Sequence, residues 1–367
     1  MTLSPDPTAS EIQSWRLHAQ QLQHPPWRQP ERVVEWLGGV QAQSPAWAHW
    51  SIGLRLRDST AAKVERVVAA PGNLAPRLVR TWAFRGTLHY LTATDLTWLL
   101  PLLAPVIIRR NARRYRQLAL DEPTFAQSNQ EIRAALEAGR PLIRAEIARA
   151  LEKAGISAEG QRIYYLVQRA ALEGILCHGP QRGRDPTYVL IAQWVGAQTV
   201  SEPDNAWAAL AERYFSSHGP ATVQDFAWWS GLPVSVARQA LDAATDLVRV
   251  EEENEMLWAK GTPPEPLREH AAYLLPPYDS YLLSYKDRSW ALDLAYAKRV
   301  NAGGGMPKPT IVVNGQVVGI WKRAITAHRI VVTLELFRAL NQDERAALET
   351  AAHRYGDFYA LPIEIQS

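Results

Sequence analysis

Cysteine is almost missing from this 367-residue chain: Cys177 stands alone. Neither a disulfide framework nor a cysteine-rich zinc site can therefore be built within it. The nine histidines show no His-Glu-x-x-His or related ligand spacing, so no metal and no cofactor is expected. Long apolar runs are absent too. A bilayer span needs about 18–20 apolar residues. The best candidate, Leu96 to Ile108, is interrupted by Pro101 and Pro105 and runs into arginines, so it reads as a buried helix. Met1 to Ser10 lacks the basic start and apolar core of a signal peptide, and a cytoplasmic location is expected. No Walker loop or dinucleotide glycine fingerprint occurs; Gly303-Gly304-Gly305 lacks the lysine and the following helix that bind phosphate. No Ser/His/Asp or cysteine nucleophile arrangement is visible.

Lysine is scarce as well, at seven of 40 basic residues. Arginine's planar fork suits phosphates and base edges, although a GC-rich genome accounts equally well for an Arg- and Ala-rich chain. The net charge of +3 conceals an asymmetry. Residues 1–200 carry 24 Lys+Arg against 16 Asp+Glu, and the remainder 16 against 21. A basic first half points to a polyanionic partner. With 47% hydrophobic and 21% charged residues the composition is that of a globular protein, and the length suggests two or three packed units.

The stretch from Pro141 to Ile191 is the most informative for fold. Leu142 to Leu151 has apolar residues at helical spacing and stops before Gly155. A second helix, Gln161 to Glu173, ends at Gly174. Ile175 to His178 and Tyr188 to Ile191 then read as a hairpin with a basic tip. Helix, turn, helix and hairpin is the winged helix-turn-helix pattern. Its second helix would offer Arg162, Gln168 and Arg169 to a groove, and its wing Arg182 and Arg184 to phosphates. Thr222 to Lys260 repeats the pattern, with a capping box at Thr222-Val223-Gln224-Asp225 and an acidic wing tip, Glu251 to Glu255, suited to packing and not to phosphate. A third, divergent copy is expected in the N-terminal region. It ends in the basic run Arg109-Arg110, Arg113-Arg114 and Arg116, which fits a solvated face and a phosphate-facing one equally well. From Ala271 the texture becomes β-rich, with Asn314-Gly315 as a two-residue hairpin signal and Asn301 to Pro309 as a mobile loop. The expected class is α+β, mainly α, in four segments: 1–130, 131–200 and 201–262 as tandem winged-helix units, and 263–367 as the β-rich domain.

The chemistry centres on Gln41-Ala42-Gln43-Ser44-Pro45. Ser44 suits an N-cap and Pro45 a first helical turn, so the two glutamines lie just before a helix start. In extended backbone, residues i and i+2 share a side, and two carboxamides would converge beside the positive end of a helix dipole. Amides are no general bases near neutral pH. Their carbonyls can still orient a water, and their dipoles can stabilise positive charge. Such a pair suits a reaction whose leaving group is already activated. Taken alone, the motif fits two glutamines tying down a loop better than it fits catalysis.

The segments Leu37 to Gln43, Arg80 to His89, Leu275 to Asp279, Tyr285 to Arg288 and Val318 to Trp321 together resemble the AlkZ/YcaQ winged-helix DNA glycosylases. The matching blocks keep their order over roughly residues 12–360. The resemblance implies tandem winged helices in a C-shaped molecule and monofunctional removal of alkylated purines, with crosslinks unhooked in some members. It also implies a Gln-apolar-Gln active-site motif, Gln41 and Gln43 here, nearer the AlkZ branch than the Gln-apolar-Asp of the YcaQ branch. Further candidates for DNA contact are Arg80 and Arg85, which flank Trp82 and would clamp phosphates, and His89, Lys286 and Arg288, these three open to an internal structural role instead. Asp279 is the nearest thing to a spare carboxylate, and so the nearest candidate for a general base. The expected partner is double-stranded DNA carrying alkylated or crosslinked purines, bound by a nucleoid-associated monomer. A non-enzymatic winged-helix regulator, or a protein-interaction scaffold without salt-dependent DNA binding, would need no glutamine pair.

Overall fold

The computed structural model of the chain describes residues 8–69, 77–196, 203–252, 255–265, 271–301, 303 and 306–366. Most of the Met1 to Ser10 stretch, the tip of the acidic wing at Glu253-Asn254, and Gly304-Gly305 of the expected mobile loop lie outside the described residues. Among the described residues no helix is long and apolar enough to cross a membrane.

The chain is mixed α and β, and it divides into two compact units: residues 1–65 with 207–367, and residues 66–206. This differs from the four consecutive segments expected above. The first expected segment, 1–130, is divided because the apolar face of its opening helix has its partners far along the chain. Ala9–Ala19, started by a Thr8/Glu11 capping box, places Ile12, Trp15 and Ala19 against Val250, Leu257 and Ala259. That contact covers the apolar side of the hairpin Leu247–Glu252/Glu255–Lys260, whose register runs from Leu247↔Lys260 to Glu252↔Glu255. Sequence periodicity finds such a helix but not its partner.

In the larger unit the C-terminal sheet holds its strands Ala272–Leu275, Thr310–Val313, Gln316–Ile325, Ile330–Leu336 and Ile363–Gln366 in sequence order. The first four pair antiparallel and the last joins in parallel. Asn314 and Gly315 both take positive φ, 50° and 84°. These are the left-handed values that a two-residue hairpin turn demands, as expected from the dipeptide. The helix Gln342–Tyr359 buries Leu348, Ala351, Ala352, Tyr355 and Phe358. The helices Val223–Ser230 and Val234–Asp242 follow the cis Gly219-Pro220 bond, and the expected Thr222/Asp225 capping box is present.

In the smaller unit the strands lie in the order Leu88–Thr92, Leu78–Trp82, Leu176–His178, Thr187–Leu190 and Leu142–Ile143, all antiparallel. The expected helix through Leu96 and Ile108 runs unbroken as Ala93–Gln117. Leu96, Leu99, Leu100, Leu103 and Ile107 are buried, while Pro101 and Pro105 face outward. Proline has no N–H, so the carbonyls of Thr97 and Pro101, four residues upstream, each lose a helical donor. The helices Arg144–Lys153 and Arg162–Leu172 precede the Leu176–Leu190 hairpin, within a residue or two of expectation.

Candidate active site

The Gln41-Ala42-Gln43 segment is held at both ends by structure that the sequence dictates. Upstream, Pro30 opens a helix whose Val33, Val34 and Leu37 are buried, and Gly38 ends it in the left-handed region at φ 73°. A side chain at Gly38 would be strained twice over. Besides the φ, a Cβ there would lie 3.1 Å from Trp229 Cη2 and 3.4 Å from Arg213 Cδ. The chain then extends through Val40 and Gln41. Downstream, Ser44 is the N-cap and Pro45 the first residue of the helix Pro45–Gly53, as expected, although the Ser44 side chain makes no capping hydrogen bond. Burial alternates along the motif. Val40 and Ala42 are buried, Gln41 is half-buried and Gln43 is exposed. Ala42 thus takes the core side and the flanking carboxamides the accessible one.

The helix that follows is fixed by a buried polar cluster. Arg55 grips Asp279 with two parallel hydrogen bonds, Nη1 to Oδ2 at 2.9 Å and Nη2 to Oδ1 at 2.8 Å, and both side chains are essentially inaccessible. Ser51 donates to Asp279 Oδ2 at 2.6 Å, and Arg55 also donates to the Gln20 and Ser51 carbonyls. Burial alone would raise the Asp279 carboxyl. The Arg55 charge, the Arg55 and Ser51 hydrogen bonds and the Tyr281 N–H outweigh it, and the group titrates below its ordinary range. Asp279 is therefore no spare carboxylate. Its lone pairs are committed to an ion pair that orients the site helix, which corrects its reading as a possible base. Trp50 Nε1 donates to the Leu274 carbonyl at 2.7 Å, seating the same helix on the C-terminal sheet. Trp47, one turn beyond Gln43, carries Arg323 over its ring at 3.6 Å. Arg323 in turn donates to the hydroxyls of Tyr355 and Tyr359.

Arg55 and Arg323 escaped sequence reasoning. Arg55 lies between Leu54 and Leu56, and a lone charge inside an apolar run is a signal of burial. Its partner is 224 positions away, and nothing in the sequence connects the two.

Lys286 presents an exposed side chain, while the backbone N–H groups of Lys286 and Asp287 converge on Asp225 Oδ1 at 2.8 and 3.4 Å. Arg288 is half-buried, its Nε has no hydrogen-bond partner among the described residues, and burial pushes its pKa down. Among the described residues no group of three or more His, Cys, Asp or Glu side chains is placed to hold a metal ion.

In the smaller unit the outcome is uneven. The helix Arg162–Leu172 does not present the residues expected of it. Gln168 and Arg169 are buried. Gln168 donates to the Gly86 carbonyl and accepts from Asn111. Arg169 sits over Phe125 and pairs with Glu122 at 2.6 Å and with Glu173. Arg162 is spent on the carbonyls of Ser157, Leu118 and Ala119. Alternating polar and apolar letters cannot distinguish a solvent-facing arginine from one that bridges neighbouring helices. In the loop of the Leu176–Leu190 hairpin, Arg182 pairs with Glu146. Arg182, the Ile143 N–H and Arg140 hold that carboxyl down at about 2. Arg184 is exposed, and its side chain has no hydrogen bond or ion pair among the described residues.

Arg80 is half-buried and donates to His178 Nδ1 at 3.3 Å. Arg85 takes φ 58° in the turn Phe84–Gly86, and its carbonyl accepts from Arg110. His89 is buried, donates from Nδ1 to the Thr87 carbonyl at 3.0 Å, and packs edge-on against Phe84. Burial first, and then the Arg85 charge, bring its pKa down to about 3. A neutral, enclosed imidazole fits the internal role left open for His89.

The profile of the family described as "DNA glycosylase AlkZ-like" matches residues 34–358. The "Interstrand DNA cross-link repair glycosylase" of Streptomyces sahachiroi is 32% identical over 351 residues, covering 88% of this chain and 89% of that protein. The solved structure of "Streptomyces sahachiroi DNA glycosylase AlkZ" superposes with a TM-score of 0.81 at 26% identity, covering 98% of this chain and all of that one. The chain belongs to the AlkZ-like DNA glycosylase family.

Proposed function

We propose that this glycosylase hydrolyses the N-glycosidic bond of cationic N7- or N3-alkylated purines in duplex DNA, and that it unhooks interstrand crosslinks built on such purines. The name of the Streptomyces relative supports the crosslink reading. The observation that carries the site assignment is the burial alternation at Gln41-Ala42-Gln43, ahead of a helix locked by the Arg55–Asp279 pair.

The carboxamide carbonyls of Gln41 and Gln43 orient a water toward C1′ and face the positive charge that develops on the sugar. The C1′–N bond breaks, and its electron pair neutralises the alkylated ring. The water oxygen bonds to C1′ and its proton passes to solvent, leaving an abasic site and a neutral base. Because the leaving group already carries its charge, no general acid is needed, and amides suffice where carboxylates would otherwise be used. The fold reading that accompanies this is tandem winged helices. Arg144–Lys153, Arg162–Leu172 and the Leu176–Leu190 hairpin form one unit, and Val223–Ser230, Val234–Asp242 and the Leu247–Lys260 hairpin the other. Arg182, Arg184 and Lys286 contact phosphates, with Arg80, Arg85 and Arg288 as half-buried supports.

The test is base release from duplex DNA carrying N7-methylguanine, and separately from a nitrogen-mustard crosslink. Abasic sites are read after alkali. Gln41→Ala and Gln43→Ala should each slow release by about 10²-fold, the scale of removing one preorganised dipole, without lowering thermal stability. Unchanged rates in both variants would remove the glutamines from the mechanism. Tight binding with no release from either substrate would leave a DNA-binding role only.

A further inference from the structure

A concavity of about 620 Å³ lies within the larger unit and is lined by neither Gln41 nor Gln43. Its wall is aromatic. Trp27 and Trp36 stand side by side with ring centroids 5.7 Å apart and planes tilted by 52°, and both are half-buried. The ring of Trp36 is fixed, because its Nε1–H donates to the Ala19 carbonyl at 2.6 Å. With that donor spent, Trp36 offers the concavity π surface. Trp27 is pinned through its backbone, bridged to Leu56 and accepting from the Arg57 N–H at 2.8 Å.

The rim is charged, and its balance is positive. Arg32, Arg213 and Lys260 face Glu35 and Glu212. Both carboxylates have partners: Glu35 pairs with Arg32 at 2.8 Å, and Glu212 accepts from the Thr245 N–H and hydroxyl at 2.7 and 3.0 Å. Lys260 ends its strand exposed, and its ammonium has no hydrogen bond or ion pair among the described residues. An aromatic cage for a cation would need rings set apart around a slot. These rings touch each other, and the surplus charge has the wrong sign for one.

An aromatic platform beside a cation is the arrangement that takes a nucleobase on its π face and a phosphate on its charge. We infer that this concavity is a nucleotide-binding site, the base stacking on Trp36 with Trp27 against its edge, and the phosphate held by Lys260 with Arg213. The volume falls within the usual range of small-molecule pockets, about 300–1,000 Å³. A free mononucleotide and a nucleotide unit of a single strand share this chemistry. The site stands apart from the base-excision reading and does not depend on it.

Calorimetric titration of the full chain with dAMP, deoxyadenosine, inorganic phosphate and a short single-stranded oligo-dA decides the matter. The expected result is one dAMP per chain, bound at least tenfold more tightly than deoxyadenosine or phosphate. Lys260→Ala should erase the advantage of dAMP over deoxyadenosine. Trp36→Leu should weaken every base-bearing ligand about tenfold, the usual scale of one base–aromatic stack. Displacement of dAMP by the oligonucleotide assigns the site to a strand, and failure to displace assigns it to free nucleotide; either keeps the inference. No saturable dAMP binding, or dAMP binding unchanged in Lys260→Ala, overturns it. The lysine is exposed, so this arm survives even if Trp36→Leu fails to fold. Base release from methylated DNA, run in parallel, separates the two readings. Its loss with dAMP binding intact counts against excision alone, and the converse counts against the nucleotide site alone.

Discussion

At the scale of single residues the proposed catalytic motif is simple and its support is not. Gln41 and Gln43 carry no ionisable group, so their positions come from packing and hydrogen bonding. The buried pair Arg55–Asp279 contributes to that by fixing the helix that follows the motif. A buried ion pair is poor evidence of net stability, but breaking one by removing a partner costs about 3–5 kcal/mol, because the other charge is left unpaired. Asp279→Asn should therefore lower the urea midpoint strongly, and base release should fall with it as the Pro45–Gly53 helix loses its anchor. The pH dependence has a definite sign. The Asp279 carboxyl titrates below its ordinary range, so its contribution is present above the unfolded carboxylate pKa of about 3.9. It is lost as pH falls through the folded value, and the Asp279→Asn variant should lose that acid dependence along with the stability. An unaltered midpoint in Asp279→Asn would mean the pair does not anchor the helix. The motif itself was legible in the sequence: Ser44-Pro45 announces a helix start, and i, i+2 alternation places both glutamines on one side. Asp279 was misread because a carboxylate without a sequence neighbour looks spare until its partner, remote in the chain, is placed.

At the scale of elements, the helices and hairpins of the smaller unit follow their local signals closely, since Gly155, Gly174 and the Gly179 to Pro186 loop set their ends. What local signals do not set is which face of a helix remains free. Arg162–Leu172 is flanked by the helices Ala93–Gln117 and Glu122–Leu136, and the links run through Arg162 to Leu118 and Ala119, Gln168 to Asn111, and Arg169 to Glu122. Three residues expected to read a groove hold helices together instead. The Leu176–Leu190 hairpin, the proposed wing, carries the contrast, with the Arg184 side chain exposed and unpaired among the described residues in its loop. Each phosphate contact contributes about 0.9 to the slope of log K against log salt on duplex DNA. Arg184→Ala should reduce that slope by about one while leaving the melting temperature unchanged. Arg169→Ala should do the reverse, destabilising the fold with no effect on the slope of the folded protein. Equal salt slopes for wild type and Arg184→Ala would take the wing off the DNA.

At the scale of the whole molecule, the division into two units was out of reach of the sequence. It depends on the Ala9–Ala19 helix finding a hairpin more than about 200 residues away. Both units nonetheless share one electrostatic vulnerability. His89 and His178 in the smaller unit and His218 in the larger are buried, and in each case burial is the largest cause of a depressed pKa. His89 and His218 are brought to about 3, and His178 is well below its ordinary value. The neighbouring arginines Arg85, Arg80 with Arg144, and Arg55 push in the same direction. An imidazole kept neutral in the fold but free to protonate when unfolded favours the unfolded chain as pH drops. The stability these histidines preserve is therefore complete above the unfolded value of about 6.5 and is lost progressively toward their folded values. Carboxylates enter only near pH ~4, so decline between about pH 6.5 and 5 is a histidine signature. Melting followed by circular dichroism from about pH 8 to 5 should be flat down to about 6.5 and then fall steadily. His218→Gln, which cannot take up the proton, should soften the slope for the larger unit without restoring the smaller. A melting temperature that holds level to about pH 5 would show that these rings are hydrated in solution, and the enclosure assigned to His89 would fall with it.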